Sequence, residues 1–209
     1  MRRFGWAVMM GLATFIALYA VTLLLWPAIR APFLQDRFAT IPLAATLHLF
    51  GAAVALATGP FQHNVRIRSN SFRRHRWLGR AYVLGVLFGG VAGFVMALVS
   101  QYGLPSHVGF GLLAVLWVGT TAKAYFSIRA GDQEGHRRWM TRSFALTYAA
   151  VTLRIYLPLS QTLGIPFGPA YQISSWLCWV PNLIMAEWII LRRRETAGFE
   201  RTPSTPAPA

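Results

Sequence analysis

Six long apolar runs divide this chain, near 4–27, 41–62, 79–100, 106–128, 142–163 and 171–191. Each approaches the roughly 20 residues a helix needs to cross a bilayer. Strands are a poor alternative: the runs are too long, and backbone groups in lipid must be satisfied within a helix or a closed barrel. The pattern predicts an all-α integral membrane protein, a six-transmembrane-helix bundle with a four-helix core formed by helices two to five, 41–163. Residues 1–195 form one domain in this reading. Residues 196–209 form a disordered cytoplasmic tail, because the stretch Thr202-Pro203-Ser204-Thr205-Pro206-Ala207-Pro208-Ala209 has the composition of an unstructured segment.

The polar punctuation agrees. Gln101-Tyr102-Gly103-Leu104-Pro105 and Gly164-Ile165-Pro166-Phe167-Gly168-Pro169 carry breakers between helices. Pro158 and Pro181 lie inside the fifth and sixth runs and are expected to kink them. The first run follows Arg2 and Arg3 and is longer than the roughly 7–15 residues of a signal-peptide core, so it is expected to be a retained span.

Charge adds an orientation. Residues 63–78 hold Arg66, Arg68, Arg73, Arg74 and Arg76; residues 129–141 hold Arg129, Arg137 and Arg138; the tail holds Arg192, Arg193 and Arg194. The intervening connections hold only Arg30 and Arg37 at 28–40, and none at 101–105 or 164–170. The positive-inside rule then predicts a multi-pass protein of the bacterial inner membrane with both termini cytoplasmic.

Composition excludes other classes. Of 209 residues, 55% are hydrophobic and 12% charged, and six Asp and Glu cannot coat a soluble surface of this size. The net charge of +14 falls between apolar runs rather than over a soluble face, which argues against nucleic acid. Cys178 is the one cysteine, which excludes internal disulfides, a C-x-x-C-H haem attachment and four-cysteine iron–sulfur ligation. No Ser-His-Asp order, phosphate loop, HExxH or paired carboxylates appear.

The candidate chemistry lies in two basic knots, Arg73-Arg74-His75-Arg76-Trp77-Leu78-Gly79-Arg80 and His136-Arg137-Arg138-Trp139-Met140-Thr141-Arg142. Each has a histidine upstream, His48 at 27 residues from His75 and His107 at 29 residues from His136. Gly51 and Gly59 follow His48 as Gly109 and Gly119 follow His107, a weak internal repeat. By the expected topology His48 and His107 lie toward one surface, and His75 and His136 toward the other. Neutral imidazoles on opposing helices at matching depth suit the two axial faces of a haem iron, so the layout fits one or two b haems. Arg76, Arg80, Arg137 and Arg142 would face haem propionates or other carboxylates. Arg154, near mid-membrane, would face a propionate, Asn182 or Gln161, whereas Glu187 is better matched to Arg142 or Lys123. Gly85, Gly89, Gly90 and Gly93 would leave room for a flat macrocycle or another helix.

Each residue also has a plainer use. His48 can hydrogen-bond a neighbouring helix. His75 and His136 can meet anionic headgroups with the arginines around them. His107 can be an interfacial helix-start residue, and His63 stands apart in a loop.

His75-Arg76-x-Leu78-Gly79-Arg80-x-Tyr82, His136-Arg137-Arg138-Trp139-Met140-x-Arg142-Ser143 and Trp179-x-Pro181-Asn182 resemble a family of bacterial predicted integral membrane proteins grouped as a domain of unknown function. The likeness covers roughly residues 41–191. More loosely, histidines on four successive helices are similar to diheme transmembrane b-type cytochromes and ferric-reductase-like domains. That resemblance implies the ligand pairs His48–His107 and His75–His136. This chain departs from it in placing His75 and His136 at the membrane edge amid arginines. The function expected is a membrane oxidoreductase or electron-transfer component with haem b, exchanging electrons with a quinone or other redox partner. The alternative is a haem-free membrane protein. Its His/Arg cluster would then bind an anionic lipid or quinone-like headgroup, or brace the bundle.

Overall fold

A few capping residues and breakers set the helix ends of this chain. The computed structural model describes residues 3–62 and 71–199, whose regular structure is helical. α1 spans Arg3–Leu25, a 3-10 turn follows at Pro27–Ile29, and α2 spans Pro32–Thr40. α3 is Pro42–Gln62, α4 Phe72–Leu98, α5 Gly103–Arg129, α6 Gln133–Thr147, α7 Ala149–Thr162, α8 Phe167–Leu177 and α9 Val180–Phe199. His63, Arg66 and Arg68 lie outside the described residues, as do positions 200–209 of the expected tail.

Among the described residues five helical stretches are long and apolar enough to cross a membrane: Phe4–Leu25, Pro42–Gln62, Phe72–Leu98, Gly103–Arg129 and Phe167–Arg193. The fifth expected run, 142–163, is divided between α6 and α7, which meet at Tyr148. The cause is local. Thr147 donates its hydroxyl to the Ser143 carbonyl at 3.0 Å, in the turn that ends at Tyr148. Such back-bonding competes with the helix ladder and bends it. Pro158, where a kink was expected, lies inside α7, ten residues beyond this break. The bend expected at Pro181 appears as the break between α8 and α9. Pro181 has no N–H to give the preceding turn. Beside it the Cys178 carbonyl accepts from the Asn182 amide at 2.9 Å and from the Thr152 hydroxyl.

The basic knots are not loops. α4 starts at Phe72, with Ser71 accepting at its N-cap from the backbone N–H of Arg74 at 3.4 Å. α6 starts after Asp132, which accepts from Gly135 N–H at 2.7 Å. Gly131, at φ +81°, ends α5 just before it. Both knots therefore form the opening turns of helices. The 27 residues of α4 span about 40 Å, against about 30 Å of hydrocarbon, so its arginine turns reach beyond the apolar slab.

The two basic residues at the opposite end act as helix caps. Arg30 donates from Nε to the Leu23 carbonyl at 2.8 Å, and Arg37 donates to the Val99 carbonyl at 2.6 Å. A cation at a helix C-terminus meets the negative end of the helix dipole. Arg37 is buried by this contact, and α2 lies across that end of the bundle.

The most extensive packing is between α3 and α4, followed by α5 against α6 and α4 against α5. α1 lies against α3, and α8 against α5 and α7. The outer surface carries large apolar side chains such as Phe15, Phe50, Phe88, Phe126 and Ile184, as lipid contact requires. The α3–α4 seam is instead built from glycine. A Cβ at Gly51 would stand 2.5 Å from the Gly85 carbonyl oxygen and 2.5 Å from the Gly89 nitrogen. Where a macrocycle or a helix had been expected against these glycines, a helix lies there.

Candidate functional site

Between α4 and α6 a tyrosine reaches across the bundle. The Tyr82 hydroxyl lies 2.7 Å from Ser143 Oγ and 2.7 Å from Thr147 Oγ1. Ser143 Oγ lies 2.6 Å from Thr121 Oγ1, Thr121 donates to the Trp117 carbonyl at 2.7 Å, and Trp117 Nε1 donates to Thr147 at 2.8 Å. With the bond from Thr147 to the Ser143 carbonyl, four hydroxyl hydrogens serve five contacts, so at least one is shared. All five residues are buried. The sequence signal of this network is hydroxyl and indole groups inside runs that lipid would otherwise keep apolar, and the hydropathy pattern does not reveal it.

Two turns from Tyr82 toward the basic knots, a cavity of about 1960 Å³ opens, bounded by α1, α3, α4, α5, α6 and α9. His75 from α4 and His136 from α6 both line it. Arg76, Arg80 and Arg137 stand at its mouth and are exposed. Arg76 lies 4.4 Å over the Phe72 ring and Arg80 4.9 Å over the Trp77 ring, cation–π contacts that leave the guanidinium forks available. His136 donates Nδ1–H to the Ala124 carbonyl at 2.8 Å. A carbonyl can only accept, so this bond fixes the tautomer and leaves the Nε2 lone pair available. His75 stacks with Phe72 at 6.2 Å between centroids. Gln62 also lines the cavity, and its buried Nε2 finds no acceptor among the described residues.

The other expected site residues lie elsewhere. His48 sits in the α3–α4 seam and donates Nδ1–H to the Gly89 carbonyl at 2.8 Å. Its ring covers Gly93, where a Cβ would stand 2.8 Å from Nδ1. His107 lies in the second turn of α5, off the cavity, and its ring makes no hydrogen bond among the described residues. Arg142 is held by Glu187 in a bidentate pair, Nε to Oε1 at 2.5 Å and Nη2 to Oε2 at 2.8 Å, and also lies 4.5 Å over Trp139. Of the two partners considered for Glu187, Lys123 instead faces Trp139. Arg154 donates to the Ala150 carbonyl at 2.9 Å and faces Tyr19 at 5.8 Å. Asn182 and Gln161, named as partners for Arg154, bond elsewhere.

The weak repeat does not extend to packing. Gly59 meets Phe144 and Tyr82, whereas Gly119 faces open space; Gly51 meets α4, whereas Gly109 meets Ser175 of α8.

A family model described as "Predicted membrane protein (DUF2306)" matches residues 45–190. The chain belongs to this family. With five candidate spans, it is a multi-pass membrane protein in contact with the lipid bilayer. No curated protein matches it, and neither does any solved structure, so the looser likeness to diheme cytochromes and ferric reductases has no support from these comparisons.

Proposed function

We propose that this DUF2306 protein holds a b-type haem between His75 and His136 and serves as an electron-transfer component of the bacterial inner membrane. The observation that carries the reading is that these two histidines, from different helices, line one cavity beneath three available arginines. The residues present fit the group. His136 keeps Nε2 for a metal by tying Nδ1–H to a backbone carbonyl, the usual outer-shell arrangement of ligating histidine. Arg76, Arg80 and Arg137 offer forks for propionates, and the orphaned Gln62 amide offers one further donor. Arg142 has no part in this, because Glu187 holds it. When bound, haem supplies one-electron chemistry.

The proposal includes six crossings, both termini cytoplasmic. α6 leaves the knot end at Gln133, and α7 ends at Thr162 close to α8, whose Gln172 donates to the Tyr102 carbonyl at the opposite end. It also extends to a second haem on His48 and His107. His48 has the same anchored imidazole as His136.

The test is the spectrum of full-length protein purified in detergent from haem-replete cells and reduced with dithionite. A sharp b-type α band is expected, lost in His75→Ala and in His136→Ala if one haem is present and halved if there are two. A colourless preparation overturns the reading.

A second reading is favoured by the cavity's length, since its lining continues past the histidines to Tyr148 and Asn182. An anionic lipid with its head at the arginines and a chain in the trough would fit without iron. Colourless protein that retains acidic phospholipid through purification is the outcome expected of it.

A further inference from the structure

The cavity has a second polar end. Tyr148 is 12 residues beyond His136 along α6, about 18 Å deeper into the bundle. It lines the cavity, and its hydroxyl makes no hydrogen bond among the described residues. Asn182 of α9 lines the same region. Its amide nitrogen is fully used, by the Cys178 carbonyl at 2.9 Å and the Ala145 carbonyl and Thr152 hydroxyl at 3.3 Å each. Its Oδ1 accepts from no donor among the described residues. A phenol and an amide oxygen that line a cavity without a protein partner are open to hydrogen-bond a ligand there. The walls around them, Met9, Phe144, Ala145 and Met185, are apolar and include the soft side chains that suit a variable hydrophobic ligand.

Access is from the side. Among the described residues α1 packs chiefly on α3 and α7, and α9 on α6 and α8, with no extensive α1–α9 packing over the cavity between them. A ligand dissolved in the bilayer can enter there without crossing the arginine mouth.

We infer that the deep end of this cavity binds a lipophilic quinone. The Tyr148 hydroxyl donates to one ring carbonyl, Phe144 stands beside the ring, and the tail leaves between α1 and α9. Asn182 Oδ1 has no use for a quinone carbonyl but accepts from the hydroxyl of the reduced ring, so the pair suits both redox forms. The inference rests on the cavity of the proposed function, but not on the haem.

The experiment titrates purified full-length protein in detergent with decyl-ubiquinone and follows quenching of tryptophan fluorescence; Trp6 lines the cavity. Saturable quenching is expected. Tyr148→Phe should weaken the apparent Kd by about 2- to 10-fold, the worth of one hydrogen bond. The substitution removes only an unpartnered hydroxyl, so folding is preserved, and an unchanged melting temperature confirms it. Wild-type protein that is colourless from haem-replete cells yet still binds the probe saturably ends the haem reading alone. Absence of saturation overturns the quinone site. So does wild-type affinity in Tyr148→Phe, the result expected if the trough merely holds an acyl chain.

Discussion

Gly51 and Gly89 meet backbone to backbone, so closely that a Cβ on Gly51 would stand 2.5 Å from the Gly89 nitrogen. That atom cannot move without separating α3 from α4. Gly51→Ala should therefore destabilise by about 1–3 kcal/mol despite the better helix propensity of alanine. Gly119 faces open space, and Gly119→Ala should be neutral or stabilise by up to about 1 kcal/mol. Thermal unfolding in detergent separates them: Gly51→Ala melts below wild type and Gly119→Ala does not.

Arg142 and Glu187 offer a test of a charge pair at the membrane. Removing one partner leaves the other uncompensated, so Arg142→Met and Glu187→Met should each lower the melting temperature. The double variant Arg142→Met/Glu187→Met should melt above at least one of the singles. Strictly additive losses would mean that the pair is not coupled.

Tyr82→Phe removes the hydroxyl that joins α4 to α6. Ser143 and Thr147 keep Thr121, Trp117 and the Ser143 carbonyl as partners. The loss should thus be about 1–2 kcal/mol rather than the larger cost of an orphaned buried group. Ser143→Val, which also strips Thr121 of a partner, should cost more in the same unfolding assay.

The sixth crossing is open to chemical labelling. In a Cys178→Ser background, Gln133→Cys and Thr162→Cys mark the two ends of α6–α7. A membrane-impermeant maleimide added to intact spheroplasts should label position 162 and spare 133 until the membrane is opened. Equal labelling of both positions in intact spheroplasts would show that this bent segment does not cross.

Much of the fold is legible in residue order. Apolar run length alone sets where α1, α3 and α5 lie, because a helix in lipid needs about 20 apolar residues whatever its neighbours are. Pro181 announces the α8–α9 break by lacking an N–H. The Glu187 partner was narrowed to two cations, because a carboxylate in a bilayer needs a counter-charge. The starts of α4 and α6 are not legible in hydropathy. Ser71 and Asp132 extend helices through stretches whose arginines read as loop, and a cap acts on backbone N–H groups rather than on hydropathy.

The chain by itself determined that helices cross a membrane, that basic residues gather at one end, and that four histidines stand on separate helices. Only the tertiary structure decided which of them share a space. His75 and His136 come to one cavity because α4 and α6 are joined through Tyr82, Ser143 and Thr147, while His48 is drawn into the α3–α4 seam by glycines that let two backbones touch. Hydropathy records how much a segment prefers lipid. Which face turns inward is set by side-chain volume and hydrogen-bond pairing between helices distant in sequence, and no single segment carries that information.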